Sequence, residues 1–273
     1  MFFDSHTHLN NEGYSENDRA ALAAAIEASD VSYVVDVGFD LESSMIAARH
    51  AAKYPWCYAA AGFHPHNAKD MDGESLLMIR NIAKKDKVAA IGEIGLDYYR
   101  NLSDRGCQQD CFRRQIALAM DLKMPIVIHD RDANDDVLRI LKEEGVFGKG
   151  RAGCFPPGED GLPDARLLMH CFSGSAELAR QYVKLGATIS IAGPVTYKGA
   201  RRLEEVVKAL PMGRMLIETD APYLTPEPFR GRPNSSPLIK YTAAKVAEIR
   251  GISLEETARA TCANAKRFFG IRQ

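Results

Sequence analysis

No stretch of this chain is apolar for long enough to cross a bilayer as a helix, and Met1-Phe2-Phe3 leads straight into a polar cluster without the pattern of a secretory signal. Neither a membrane partner nor secretion is expected, and the cytoplasm is the simplest compartment. Charge of one sign is lacking too: 35 Lys+Arg against 36 Asp+Glu leave a formal net charge of -1. Nucleic acid would have to be held by a local patch rather than by the field of the whole molecule. Six cysteines are scattered without a CxxC pair, which argues against a thiolate zinc site or a dithiol redox motif. Cys107 and Cys111 are four apart on an expected helix and could face each other, but a domain of this size needs no disulfide staple. Fixed-period repeats and low-complexity tracts are absent.

The 46% hydrophobic and 26% charged residues are enough to build a sizeable core under a solvated surface. Apolar bursts rich in Val and Ile predict strands at Phe2 to His6, Val31 to Val37, Cys57 to Gly62 and Val88 to Ile94, then at Pro125 to His129, Arg166 to His170, Ala187 to Ile191 and Arg214 to Glu218. Helical periodicity fills the intervals, for example Asp18 to Ala28, Asp104 to Leu122 and Pro237 to Arg250. Eight such units predict an α/β fold, a (β/α)8 TIM barrel forming one domain over 1–273. A doubly wound open sheet is the alternative; it would want a glycine-rich first turn, whereas the first strand runs into His6-Thr7-His8. Residues 145–165, rich in Gly and Pro, read as a long loop. Residues 253–269 read as an extra C-terminal helix with Ser253 as cap and Glu256 completing a capping box.

His6, His8, His64, His66, His129 and His170 all fall at or just past the C-terminal end of an expected strand, with His50 the exception. In a parallel barrel those ends converge on one face, where Glu93 and Asp220 would join them. His6 and His8, two apart on an extended segment, leave the same side of the chain and can grip one ion. An isolated HxH occurs by chance, and a histidine taken alone is more often a hydrogen-bonded core or surface residue. Several at the same strand ends with two acids point to a metal site at the C-terminal face. Histidine and carboxylate donors without thiolate suit Zn2+, Mn2+, Co2+ or Mg2+. A carboxylate such as Glu93 can bridge two divalent ions, and ions about 3.5–4 Å apart acidify a shared water and stabilise a leaving oxygen.

The motifs DSHTHL at 4–9, GFHPHNA at 62–68, GEIGLDYYR at 92–100, PIVIHDRDA at 125–133, HCFSGS at 170–175, ETDAPYLTP at 218–226, RGRPN at 230–234 and NAKRFFGI at 264–271 run from end to end of the chain. In their order and spacing the sequence resembles the TatD family of metal-dependent deoxyribonucleases, within the metallo-dependent hydrolases. The resemblance implies that His6, His8, Glu93 and Asp220 hold one metal, and that Glu93 bridges to a second held by His129 and His170. It implies catalytic roles for Asp220 as general base, for Glu93, and for His64 at the scissile phosphate or a further ion. A rigid Pro65 turn with a structural histidine is the alternative at His64, and His66 is either a supporting or a surface residue. Relatives of this kind cleave DNA from the 3′ end, and others have been linked to RNA and to D-aminoacyl-tRNA.

One feature of composition bears separately on substrate: Arg100, Arg131, Lys198, Arg201, Arg202, Arg230 and Arg232 all fall in or near loops of the expected catalytic face. A cationic rim suits a phosphodiester, although any one of these arginines is more often a solvated charge. Tyr98, Tyr99, Tyr197 and Tyr223 in the same loops could stack on bases or pack the rim. Arg131, Arg230, Arg232 and Asn234, with His64, are the expected substrate-binding residues. Compared with the family pattern, the 145–165 connection and the Asn234 to Pro237 spacing are longer, and both are expected to border the substrate groove. The first reading is a monomeric 3′-5′ exonuclease on single-stranded DNA, with RNA or tRNA as further nucleic acid partners. The second is a D-aminoacyl-tRNA deacylase or another ester or amide hydrolase. A metal-stabilised scaffold comes third, because it has no use for Asp220 as a base; a phosphotriesterase-type enzyme would carry a carboxylated lysine where Glu93 stands.

Overall fold

The computed structural model describes residues 1–158 and 161–271. Among them eight strands form one parallel sheet in sequential order: β1 Phe2–Thr7, β2 Val31–Val37, β3 Cys57–Ala61, β4 Val88–Asp97, β5 Ile126–Arg131, β6 Leu167–Met169, β7 Thr188–Ile191 and β8 Met215–Ile217. Helices α1 Glu16–Glu27, α2 Leu41–Lys53, α3 Gly73–Ala83, α4 Arg105–Leu122 and α5 Asn134–Glu143 cover the first half of the sheet. The short α6 Lys149–Ala152 is followed by α7 Ala176–Lys184, α8 Arg201–Ala209, α9 Ile239–Arg250 and α10 Leu254–Phe269. This is the expected (β/α)8 barrel. Strands buried on both sides explain why segments such as IVI at 126–128 and VVDV at 34–37 read as apolar runs with little alternation. Among the described residues no helix is long and apolar enough to cross a membrane.

β8 and β1 close the barrel with little regular ladder. Asp220 N–H donates to His6 O at 2.9 Å and His8 N–H to Ala221 O at 2.8 Å. Deeper in, Asp4 takes the place of a strand partner: Thr219 N–H donates to its Oδ1 at 2.9 Å and the Thr219 hydroxyl to its Oδ2 at 2.6 Å. Burial pushes the Asp4 carboxyl up to about 7 despite those bonds.

Two apolar layers carry the fold. The barrel interior holds Phe3, Val35, Val37, Ala60, Ala90, Val127, Leu168 and Leu216. α10 plugs its N-terminal end with Phe268 and Phe269, the latter stacked on Phe3 at 5.9 Å between centroids. The outer layer, with Ile91, Ile126 and Ile128 against Phe112 and Ile116 of α4, lies between strands and helices. Ser253 Oγ accepts from Glu256 N–H at 3.0 Å and caps α10, but the reciprocal arm of the expected capping box is not made. Ser15/Asp18, Asp40/Ser43 and Asp72/Ser75 form complete boxes on α1, α2 and α3.

The 145–165 connection differs from its expectation in structure and in place; residues 159 and 160 lie outside the described part. It contains α6, whose Arg151 is buried and donates to Ala165 O at 2.7 Å and Met124 O at 2.9 Å. Arg214 Nη2 donates to Leu162 O at 3.0 Å and Pro163 O at 3.1 Å. Ala165 and Met124 lie two residues before the starts of β6 and β5, and Arg214 immediately before that of β8. The segment therefore packs on the N-terminal face of the barrel, opposite the strand ends that carry the histidines, and does not border the groove. An α-to-β connection must return the chain to the start of a strand, so topology alone decides this.

Candidate metal centre

Glu93 stands at the middle of the cluster because β4 comes unusually close to β5. A Cβ on Gly95 (φ +150) would meet His129 O at 1.9 Å, and one on Gly92 (φ +155) would meet the Val127 Cβ at 2.6 Å, so only glycine permits this approach. The strand then continues beyond the expected end at Ile94, with Gly95 opposite His129 and Asp97 opposite Arg131. Asp220 reaches the same point from the loop after β8. Its left-handed backbone (φ +55), open to a short polar residue, is held by the His6 O bond and by Tyr223 N–H donating to Asp220 O at 2.9 Å.

The two oxygens of Glu93 face different partners. Oε2 lies 3.4 Å from His6 Nε2 and 3.9 Å from His8 Nε2. Those nitrogens are 3.3 Å apart, and Asp220 Oδ1 is 3.4 Å from His8 Nε2 and 3.8 Å from His6 Nε2. Oε1 lies 2.7 Å from His129 Nδ1, 2.9 Å from His170 Nε2 and 3.7 Å from His64 Nε2. Donors around one tetrahedral ion at ~2.0–2.2 Å stand ~3.3–3.6 Å from each other, which matches the shorter spacings of the first group. In the second group a proton must sit in each short contact, and a divalent ion would take the place of both.

The backs of three rings are fixed. His8 Nδ1–H donates to Val37 O at 2.8 Å, His170 Nδ1–H to Glu218 Oε1 at 3.0 Å, and His129 Nε2–H to Asp97 Oδ2 at 3.3 Å. Each bond fixes the outer nitrogen as a donor and turns the other inward, where loss of its proton would leave a lone pair for a metal, the arrangement that orients metal-binding imidazoles. His6 is buried and stacked on His170 at 3.9 Å between centroids; its Nδ1 has no hydrogen-bond partner among the described residues. His6, His170 and Glu218 also approach one another closely enough to form a triad. Glu218, however, meets His170 from behind and accepts Cys171 N–H at 2.7 Å, so it orients His170 rather than sharing its inward lone pair.

Electrostatics keep the acids charged. Burial works against ionisation of Glu93, but His170 and His64, with hydrogen bonds from His129 and His170, hold its carboxyl well below the usual range. Asp220 is likewise lowered against burial, by the hydrogen bond with His8 and the charges of His170 and His6. Burial opposes charge on His170, yet Glu93 and Glu218 raise it well above an ordinary histidine. Burial, and then the charge on His129, push His64 well below one. His64 Nδ1 accepts His66 N–H at 3.1 Å, so the neutral ring carries its proton on Nε2, facing the Oε1 side of Glu93.

The structure thus brings together His6, His8, His64, Glu93, His129, His170 and Asp220. His66 sits beside them, its Nε2 2.7 Å from Asp97 Oδ2. His50 lies apart on α2 and pairs with Asp36 at 2.7 Å. Arg131 and Arg230 are on the rim, stacked on Tyr99 at 4.1 Å and on Tyr197 at 4.4 Å, and Arg232 is exposed near Arg230 in sequence. Asn234 departs from the expected substrate contact. It is buried, its Nδ2 donates to Thr219 O at 2.8 Å and Tyr223 O at 2.7 Å, and its Oδ1 accepts Ser235 N–H, so it braces the β8 loop. Asp97 and Glu218 went unassigned in the sequence although both stand inside quoted motifs. The signal for each was an acid at or just past an expected strand end, Glu218 as the last residue of its strand and Asp97 three residues beyond Ile94.

A barrel with histidines and acids gathered at its strand ends defines a metal-dependent hydrolase. The profile of the TatD related DNase family matches residues 3–270, and the chain belongs to that family. It is 44% identical to an uncharacterized metal-dependent hydrolase, YabD, of Bacillus subtilis, over 99% of this chain and 100% of the relative. It is 34% identical to the 3′-5′ ssDNA/RNA exonuclease TatD of Klebsiella pneumoniae, over 98% of both chains. Among solved structures it resembles YJJV, a TatD homologue from Escherichia coli K12, with a TM-score of 0.84 at 28% identity, covering 99% of this chain and 98% of that one.

Proposed function

We propose that this protein is a deoxyribonuclease that releases nucleotides from the 3′ end of single-stranded DNA, and from RNA, with two divalent ions joined by Glu93. The observation that supports it most is the division of the Glu93 oxygens between the His6/His8/Asp220 side and the His129/His170 side. The phosphodiester rests on the printed activity of the Klebsiella relative and on the cationic rim. Bound there, divalent ions (Mg2+, Mn2+, Zn2+ or Co2+) would supply an acidified water and polarise the phosphate.

The chain's own groups then have defined tasks. Asp220, ionised and with Oδ1 3.4 Å from His8 Nε2, accepts the proton of the attacking water on its carboxylate. His64 Nε2–H is placed to donate to a non-bridging phosphate oxygen. Glu218, Asp97 and the Val37 carbonyl keep three imidazoles in the tautomer that presents a lone pair. Protein reconstituted with each ion and given 3′- and 5′-labelled single strands tests the reading. Stepwise mononucleotide release from the 3′ end, lost in Glu93→Ala and Asp220→Ala, is expected. Intact DNA and RNA with every ion would overturn it, and D-aminoacyl ester hydrolysis without phosphodiesterase activity would replace it with the deacylase reading.

A further inference from the structure

The rim of the barrel is not evenly charged. The loops after β7 and β8 expose Lys198, Arg201, Arg202, Arg230 and Arg232, and none of these five forms an ion pair among the described residues. The two loops are locked to each other. Glu227 N–H donates to Thr196 Oγ1 at 2.9 Å, the Arg230 guanidinium lies 4.4 Å from the Tyr197 ring centre, and a Cβ on Gly193 would meet Leu224 O at 2.0 Å. Beside the β8 loop, and tied to it by Asn11 Nδ2 donating to the Tyr223 hydroxyl at 3.1 Å, the β1 loop and the start of α1 present Glu12, Glu16 and Asp18, all exposed, with Glu16 paired to Arg19. The β4–β5 side mixes Arg100, Arg105 and Arg131 with Asp132, Asp135 and Asp136.

From this asymmetry we infer that the β7–β8 side of the rim is the track for the sugar-phosphate backbone: the strand lies over Lys198, Arg201, Arg202, Arg230 and Arg232 and only its terminal nucleotide reaches the metal centre. The inference rests on the nuclease reading and adds a direction to it. A flexible polyanion with one phosphate per nucleotide gains from successive unpaired cations on one wall, and the acids of the adjoining β1 loop bound that wall on one side. An ester substrate with a single charge would use no more than the first of them.

The test compares wild type with Arg201→Ala/Arg202→Ala, two exposed helix-start residues remote from the metal donors, on 3′-terminal cleavage of dT oligomers of 2, 4 and 8 nucleotides at 50–300 mM salt. Each phosphate contact on a single strand adds about 0.7 to the slope of log affinity against log salt. The double variant should therefore raise KM for the 8-mer by about tenfold at 50 mM and approach wild type at 300 mM, with kcat retained. The defect should shrink as the oligomer shortens. Equal KM values for the two proteins at all lengths and salts would overturn the track while leaving the nuclease reading intact. Wild-type protein that cleaves no oligomer would remove the nuclease reading itself. A charge-reversing Glu12→Lys that tightens binding of the 8-mer as much as the double variant weakens it would place the strand over the β1 loop instead and overturn the inference.

Discussion

Replacing Glu218 with Gln isolates what a carboxylate behind a metal-binding histidine contributes. Glu218 is fully buried and makes two bonds through Oε1, with His170 Nδ1 at 3.0 Å and Cys171 N at 2.7 Å. Glutamine has the same shape and keeps a carbonyl oxygen for both, so packing is preserved. What is lost is the negative charge that, with Glu93, raises the basicity of His170. Loss of such outer partners typically costs 10–100-fold in metal affinity, or about 1.4–2.7 kcal/mol. On the proposed two-ion reading the effect should fall on the position between His129 and His170, while affinity at the His6/His8 position changes little. Competition titration with a chromophoric chelator, in stages of one and two equivalents, reads the two affinities separately. Activity should recover at high metal concentration, because the donors remain. Unchanged affinity at both positions would refute the reasoning, and an equal loss at both would show that Glu218 serves the whole centre rather than His170.

Three further outcomes follow from the same structure. His8, His129 and His170 are raised above the ordinary histidine range, so a metal would have to displace protons that an ordinary histidine has already lost. Apparent metal affinity should thus keep rising with pH above ~6.5, with up to about three protons released in calorimetry across buffers of different ionisation enthalpy; pH-independent binding above that point would contradict it. Phe269→Ala should cost about 3–5 kcal/mol in urea unfolding, because it opens the floor of the barrel against Phe3, with metal affinity unchanged. Arg151→Ala should destabilise the protein by about 1–3 kcal/mol through the carbonyls it leaves unpaired, while KM for oligonucleotides stays at the wild-type value because the segment lies on the far face. A raised KM would return that segment to the groove.

The barrel was legible because each strand is a short Val/Ile-rich burst and each connection has helical periodicity. Strand ends were not. Gly95 reads as a strand breaker, yet here it lets β4 run on against β5, and that extension carries Asp97 to His129. The assembly of His6, His8, Glu93, His129, His170 and Asp220 could be anticipated from strand-end placement alone, since a parallel barrel has only one face where those ends meet. Supporting contacts were illegible for a different reason. Whether Asn234 touches a substrate or braces a loop depends on which carbonyls its amide finds, and those belong to Thr219 and Tyr223 in a turn whose path no periodicity encodes. The 145–165 segment shows the converse: its composition marked it as irregular, but its side of the barrel followed from topology.

The central claim is that Glu93 joins two metal positions into one centre. Equilibrium dialysis of metal-stripped protein with Mn2+ or Zn2+, followed by elemental quantification, tests it most directly when wild type is compared with Glu93→Gln. Two ions per wild-type chain, with both positions weakened together by the one substitution, is the predicted result. A single ion in the wild type, or two ions retained unchanged in the variant, would contradict it.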